Sequence, residues 1–376
     1  MDDSLEKKCL GGEGDDLARY FARAAVTHTP LSVSFELTHR CNFRCVHCYL
    51  GDQEAIHKHR HRELNTDTIL GLLDEMVEAG TLFLTLTGGD PMLRPDFVRI
   101  YEHAVRAGLL VSVLCNGSLI TNEIVRSFVR YPPRIVDITL YGATQDTFEA
   151  ITQKDGSFAA CLNSIERLRK ANVRLHLKTV VMTLNYKEMP AMRAIAKDME
   201  LEFRHDCMLH PVVANSDNAG RTNGGGDILR LRIPPEWAVE TDFEVKELAR
   251  SLAELVKKLD GKKVSEELYQ CQAGKISCHI DPYGIMQPCL ITPSHSTIRA
   301  VDGIKAGWKK LYEAFSASSA VESFSCKLCE DKIICPACPG SFVLETGRPE
   351  QAAEYYCQYT ALRREKMRSL SRKEVT

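Results

Sequence analysis

Between residues 31 and about 208, apolar positions follow two alternating rhythms. Short, nearly continuous runs rich in Val, Ile and Leu read as buried strands. They predict strands at Leu31 to Leu37, Leu82 to Leu86, Leu109 to Leu114, Ile135 to Leu140, Arg174 to Met182 and Leu201 to Arg204. Between them the spacing changes to that of helices: Ile69, Leu72, Leu73, Met76 and Val77 in one interval, and Leu162, Ile165 and Leu168 in another. Gly80 and Gly108 fall where such helices should stop. Strand and helix in strict alternation predict an α/β fold with a parallel sheet, here a partial (β/α)6 barrel of the TIM type. Parallel sheets gather their sites at the carboxyl ends of the strands.

The rhythm breaks at residues 215–226, a polar glycine-rich stretch, and Pro234-Pro235 opens a helical segment ending near Leu259. After Gln270 the cysteine density rises and periodicity weakens, as in a small domain held by metal more than by a core. The predicted organisation is an N-terminal extension over 1–30, a barrel over 31–233, a helical bridge over 234–265, and a cysteine-rich domain with a C-terminal helix over 266–376. A chain of 376 residues with 44% hydrophobic content can bury one large core and a smaller one. The net charge of −2 provides no field that would draw the chain to nucleic acid or an anionic membrane. Neither is an expected partner. No basic start with an apolar run marks a secretory signal, and no apolar stretch reaches membrane-spanning length, so a cytoplasmic location is expected. In a reducing compartment the fifteen cysteines point to metal ligation rather than to disulfides.

Cys41-Asn-Phe-Arg-Cys45-Val-His-Cys48 directly follows the first predicted strand. It offers three thiolates with no fourth cysteine at comparable spacing. Three ligands leave one iron of a [4Fe–4S] cluster open to a small molecule, whereas four close it. A structural zinc site, the alternative, wants four ligands. This loop resembles the Cys-x3-Cys-x2-Cys signature of the radical S-adenosylmethionine superfamily. Thr87-Gly88-Gly89-Asp90-Pro91 resembles that family's Gly-Gly-Glu-Pro motif, with Asp90 in place of Glu. Asn116-Gly117 resembles its Thr-Asn-Gly element, with Cys115 in the Thr position, and Thr139-Leu140-Tyr141-Gly142 resembles Ser-Leu-Asp-Gly. The resemblance implies S-adenosylmethionine as cofactor, cleaved by an electron from a [4Fe–4S] cluster on Cys41, Cys45 and Cys48. It also implies cofactor contacts from His47, Gly88, Gly89, Asp90, Asn116 and Thr139. Lys178 and Arg204, placed at the ends of the fifth and sixth strands, and Tyr141 are candidates for catalytic or substrate contacts. The alternating run His57-Lys-His-Arg-His61-Arg reads as a solvated loop, because its interleaved cations would repel a metal.

Eight further cysteines lie at 271, 278, 289, 326, 329, 335, 338 and 357. With Gly284-x4-Cys289 and the ladder Cys326-x2-Cys329-x5-Cys335-x2-Cys338, the array resembles the SPASM domain, although that domain usually has three residues before the ladder's fourth cysteine. The resemblance implies two auxiliary [4Fe–4S] clusters, the nearer on Cys271, Cys278, Cys289 and Cys338 and the distal on Cys326, Cys329, Cys335 and Cys357. A nearer cluster lacking Cys278 would keep an open iron. Paired Cys-x2-Cys motifs also suit zinc ribbons. The remaining Cys9, Cys115, Cys161 and Cys207 read as small hydrophobes or surface thiols.

The resemblance further implies an enzyme that modifies a ribosomally made precursor peptide by a thioether or carbon–carbon crosslink. The implied partners are that peptide, a separate peptide-presenting protein, since the first 30 residues are too short to be one, and an electron donor such as flavodoxin or ferredoxin. Sulfatase maturation ranks lower, because those enzymes place an aspartate base where this chain has Leu290. Oxidation of a small molecule, as in tetrapyrrole synthesis, fits the same scaffold. From a different class, a non-catalytic zinc adaptor accounts for the cysteines but not for Gly88, Gly89 and Asp90.

Overall fold

The computed structural model describes residues 14–213, 228–245, 249–252, 268–292, 298–316 and 324–373. The predicted 215–226 stretch, Cys9, the end of the helical bridge and the 265/266 boundary lie outside these residues.

Helix α1 (Gly14–Val26) precedes β1 (Ser32–Thr38), the short α2 (Gln53–Lys58), α3 (Thr66–Glu78), β2 (Phe83–Gly88), α4 (Phe97–Arg106) and β3 (Leu110–Cys115). Next come α5 (Asn122–Arg130), β4 (Ile135–Thr139), α6 (Gln145–Thr152), α7 (Ser157–Lys170), β5 (Leu175–Val180), α8 (Met189–Asp198) and β6 (Glu202–Asp206). All six predicted strands form, each within a residue or two of its predicted edges. Asn65, Thr121 and Thr144 cap α3, α5 and α6 by accepting the N–H of Thr68, Ile124 and Thr147. Gly80 and Gly108 follow the ends of α3 and α4 at φ +91 and +97, where a side chain would be strained. The histidine run proves helical, spanning α2 and a 3-10 turn, and its side chains are largely exposed.

The sheet has eight strands in the order β6-β5-β4-β3-β2-β1-β7-β8. The last two come from the cysteine-rich part: β7 (Ser277–Ile280) pairs parallel to β1, and β8 (Met286–Gln287) antiparallel to β7. The expected separation between barrel and C-terminal domain is therefore bridged by the sheet itself. The C-terminal part adds helices α9 (Pro235–Phe243), α10 (Ile304–Ser316), α11 (Pro339–Thr346) and α12 (Glu354–Lys373).

Period-two alternation gives the sheet two unlike faces. Val33, Phe35, Leu37, Leu84, Leu86, Val111, Val113, Val136, Ile138, Leu175 and Leu177 point one way into a core shared with the helices, among them Leu73, Ile100, Phe128 and Ile165. The opposite face carries Ser34, Glu36, Thr85, Thr87, Ser112, Asp137, Thr139, His176, Lys178 and Arg204 in register. An oily back and a polar front leave the front as the surface for a ligand.

At the β1–β7 seam, Glu36 accepts hydrogen bonds from Tyr49 at 2.8 Å and pairs with His39 at 2.8 Å and His279 at 3.2 Å. Burial alone would push its pKa up, but the two imidazoles outweigh that and hold the carboxyl well below the usual carboxylate range. One buried carboxylate thus ties the strand before the cysteine loop to the strand that opens the C-terminal part. Arg232 makes a second tie, donating to both carboxylate oxygens of Glu345 in α11 and stacking 4.4 Å from the Tyr355 ring.

Candidate active site

The loops after β1, β2 and β3 converge at the carboxyl end of the sheet. Cys41, Cys45 and Cys48 lie on the first, whose backbone is pinned on two sides. The Cys41 N–H donates to Gln53 Oε1 at 2.7 Å, and the Arg44 and Val46 N–H groups donate to the carbonyls of Thr152 and Ile151 at the end of α6, each at 3.0 Å. Arg40, just before the loop, makes two 3.0 Å hydrogen bonds to the buried Glu63.

Burial pushes all three thiols up, Cys41 to about 12, and each is raised further by a neighbouring thiol or carboxylate. Polar groups are nonetheless aimed at the sulfurs. The Phe43 N–H and Asn116 Nδ2 reach Cys41 Sγ at 3.4 and 3.6 Å, the Leu50 and Gly51 amides reach Cys48, and the Tyr141 hydroxyl reaches Cys45. A buried nest of mutually repelling sulfurs ringed by donors fits thiolates bound to a cation. Among the described residues, the one trio of His, Cys, Asp or Glu donors gathered within 4.8 Å is His205, Cys207 and Asp242, so the Cys41, Cys45 and Cys48 sulfurs are not drawn that close together. Three thiolates fit a [4Fe–4S] cluster with one iron open.

The second loop is held against the first by two glycines. Gly88 has φ +138, and a Cβ on it would lie 2.0 Å from the Thr38 carbonyl oxygen; on Gly89 it would lie 2.4 Å from those of His39 and Arg40. The Gly89 and Asp90 N–H groups close the approach by donating to Thr38 and Arg40. Asp90 is fully buried, and its carboxylate accepts the N–H of Met92 at 3.0 Å and of Asn116 at 2.9 Å. Burial raises its pKa to about 6 against those hydrogen bonds. This side chain ties the second loop to the third.

Asn116 donates from Nδ2 to Asn42 Oδ1 at 2.8 Å and accepts from Ser118, while Asn42 Nδ2 donates to Ser118 Oγ at 2.8 Å. Asn42 and Ser118 were not singled out in the sequence. Their only signal is a short polar side chain beside a motif residue. Thr139 closes β4 nearly buried. His47 is buried 5.2 Å from the Tyr141 ring, and its Nδ1 finds no hydrogen-bond partner among the described residues, which suits it to a ligand's polar edge. Lys178 and Arg204 are register neighbours in the body of β5 and β6, not at their ends, and Lys178 also adjoins Thr139. Burial lowers the Lys178 pKa while Asp137 opposes the change; Arg204 donates to Glu202 at 3.0 Å.

The C-terminal cysteines form two groups. Cys326, Cys329, Cys335 and Cys357 feel one another's charge, as expected of one set. Cys271, Cys289 and Cys338 do likewise beside Tyr269, whose pKa burial and these three thiols raise to about 12. Gly340 makes room for the Cys338 loop, since a Cβ there would lie 2.6 Å from Thr292 Cγ2 and 2.9 Å from the Ile291 carbonyl oxygen. Cys278 does not join the group. It pairs with Val33 on the helix-facing side of β7 and is 4% exposed in the main core, and burial alone raises it to about 12. Its expected role as a ligand is thus corrected: alternation along β7 turns Cys278 away from the side that carries His279.

Residues 35–195 match the family model of the Radical SAM superfamily. The chain is 27% identical over 349 residues to the AdoMet-dependent heme synthase of Methanosarcina barkeri, covering 89% of this chain and 98% of that protein. It is 26% identical to the antilisterial bacteriocin subtilosin biosynthesis protein AlbA of Bacillus subtilis, over 72% of this chain and 57% of that protein. Streptococcus suis SuiB, solved with its precursor peptide SuiA, shares the fold with a TM-score of 0.64 at 14% identity, over 93% of this chain and 82% of that one.

Proposed function

We propose, from the match of residues 35–195 to the Radical SAM family model, that the chain is a radical S-adenosylmethionine enzyme that oxidatively crosslinks a ribosomally made precursor peptide, forming a thioether or carbon–carbon bond. The carrying observation is the three-sulfur nest of Cys41, Cys45 and Cys48, which leaves one iron of a four-iron cluster without a protein thiolate. When bound, that cluster supplies S-adenosylmethionine with a chelating iron and the electron that splits its carbon–sulfur bond. The chain's own residues hold the reactants. The backbone of Gly88 and Gly89 and the ring of His47 border the cofactor, and Thr139, Lys178 and Arg204 line the polar face on which a substrate lies. A bond formed with loss of two hydrogens gives one to the nucleoside radical and releases the other as a proton and an electron. Auxiliary clusters, if held by Cys271, Cys289 and Cys338 and by Cys326, Cys329, Cys335 and Cys357, would supply an acceptor for that electron. The subtilosin protein supports a peptide substrate, and Leu290 beside Cys289 speaks against sulfatase maturation.

A second reading is carried by the heme synthase match, which covers 98% of that protein where the subtilosin match covers 57%. In that reading the substrate is a tetrapyrrole whose carboxylates meet Lys178 and Arg204. The test is to incubate the reduced protein and S-adenosylmethionine with peptides encoded beside its gene and, separately, with iron tetrapyrroles. A peptide lighter by two hydrogens supports the first reading; cofactor cleavage with every peptide unchanged overturns it, and a modified tetrapyrrole supports the second.

The auxiliary assignment makes its own prediction. Cys278→Ala is expected to keep the iron and sulfide content of the parent, while Cys271→Ala loses that of one cluster. Equal losses in both would return Cys278 to the ligand set.

Among the described residues no helix is long and apolar enough to cross a membrane.

A further inference from the structure

At the outer edge of the sheet, His205 of β6, Cys207 just after it and Asp242 of α9 converge. Their donor atoms all lie within 4.8 Å of one another. His205 Nε2 is 3.0 Å from Asp242 Oδ1, and Cys207 Sγ is 3.8 Å from the same oxygen. We propose that these three side chains bind one zinc ion, with a water as the fourth ligand, and so link edge strand β6 to α9.

Tetrahedral zinc with bonds of about 2.0 Å to nitrogen and oxygen and 2.3 Å to sulfur separates its ligands by roughly 3.2 to 3.8 Å. The observed spacings are close to these, in contrast to the wider cysteine nest after β1. The mixed nitrogen, sulfur and oxygen donor set suits zinc. The site also has the outer support of a metal centre: the second Asp242 oxygen accepts the Tyr359 hydroxyl from α12.

Charge balance favours the ion. Cys207 and Asp242 are buried at 2% and 8% exposure. A dication with one thiolate, one carboxylate and a neutral imidazole sums to zero, so no net charge is left in the interior. Binding exchanges the Cys207 S–H proton for a sulfur–zinc bond, and the proton leaves to solvent. The competing arrangement is metal-free, with His205 hydrogen-bonded to Asp242 beside a protonated thiol, whose pKa burial and then Asp242 push well up.

The test uses the whole protein, produced anaerobically in medium supplied with zinc and iron. Elemental analysis is expected to give one zinc per chain besides the iron. Zinc-edge X-ray absorption is expected to show one sulfur at about 2.3 Å and the remaining neighbours as nitrogen or oxygen near 2.0 Å. Cys207→Ser is expected to cut zinc at least tenfold with iron unchanged. Zinc far below one per chain overturns the proposal, as does a shell of three or four sulfurs, which would put the ion on the cluster thiols. The absorption measurement needs no variant, so poor folding of Cys207→Ser does not decide the outcome. Neither readout depends on S-adenosylmethionine cleavage.

Discussion

Cys45→Ser is expected to reduce 5′-deoxyadenosine formation from S-adenosylmethionine by about three orders of magnitude or more, to background, while auxiliary iron stays in place. Cys45 is the most enclosed of the three thiols, 8% exposed, with the Tyr141 hydroxyl on its sulfur and both other thiols close enough to raise its pKa. A serine there offers iron a harder donor that ionises less readily than a thiol. Chromatography of the nucleoside and iron analysis of the same sample check it together. Cleavage within tenfold of the parent would mean that the nest is not the reaction centre.

Gly89→Ala should be nearly as damaging without removing any ligand. The added carbon would sit 2.4 Å from two carbonyl oxygens and 2.6 Å from the Arg40 carbonyl carbon, all of them backbone. No rotamer relieves that, so the segment entering Cys41 must move. The expected cost is about 1 to 3 kcal/mol or more of stability, with loss of the first cluster. Gly71→Ala is the control. Gly71 lies exposed within α3 with nothing within 4 Å of the new carbon, and alanine there is expected to be neutral or to stabilise by up to about 1 kcal/mol. Thermal denaturation and iron content compare the two; equal behaviour would refute the close packing argued for the Gly88-Gly89 turn.

The strand edges from β1 to β4 were legible because each strand is a largely apolar, buried run bounded by helix signals, whereas β6 (Glu-Phe-Arg-His-Asp) is mostly polar and was found from Leu201 and its place after a helix. Strand β7 was not. It has four residues, two of them polar, and it pairs with a partner more than two hundred positions earlier, a relation that local pattern does not encode. The same blind spot misplaced Cys278, since spacing counts cysteines but does not say which face of a strand they take. Asp90 was found by its motif, yet its hydrogen bonds to the Met92 and Asn116 amides depend on how two loops meet. His205, Cys207 and Asp242 passed unnoticed because fold, not sequence, brings α9 onto the sheet edge.

The most direct test of the central claim is electron paramagnetic resonance of an anaerobically reconstituted chain whose auxiliary cysteines are replaced, leaving Cys41, Cys45 and Cys48. The reduced cluster's spectrum is expected to shift when S-adenosylmethionine is added, and nitrogen-15 in its amino group is expected to appear as hyperfine coupling. A loaded, reducible cluster whose spectrum ignores the cofactor would contradict the account.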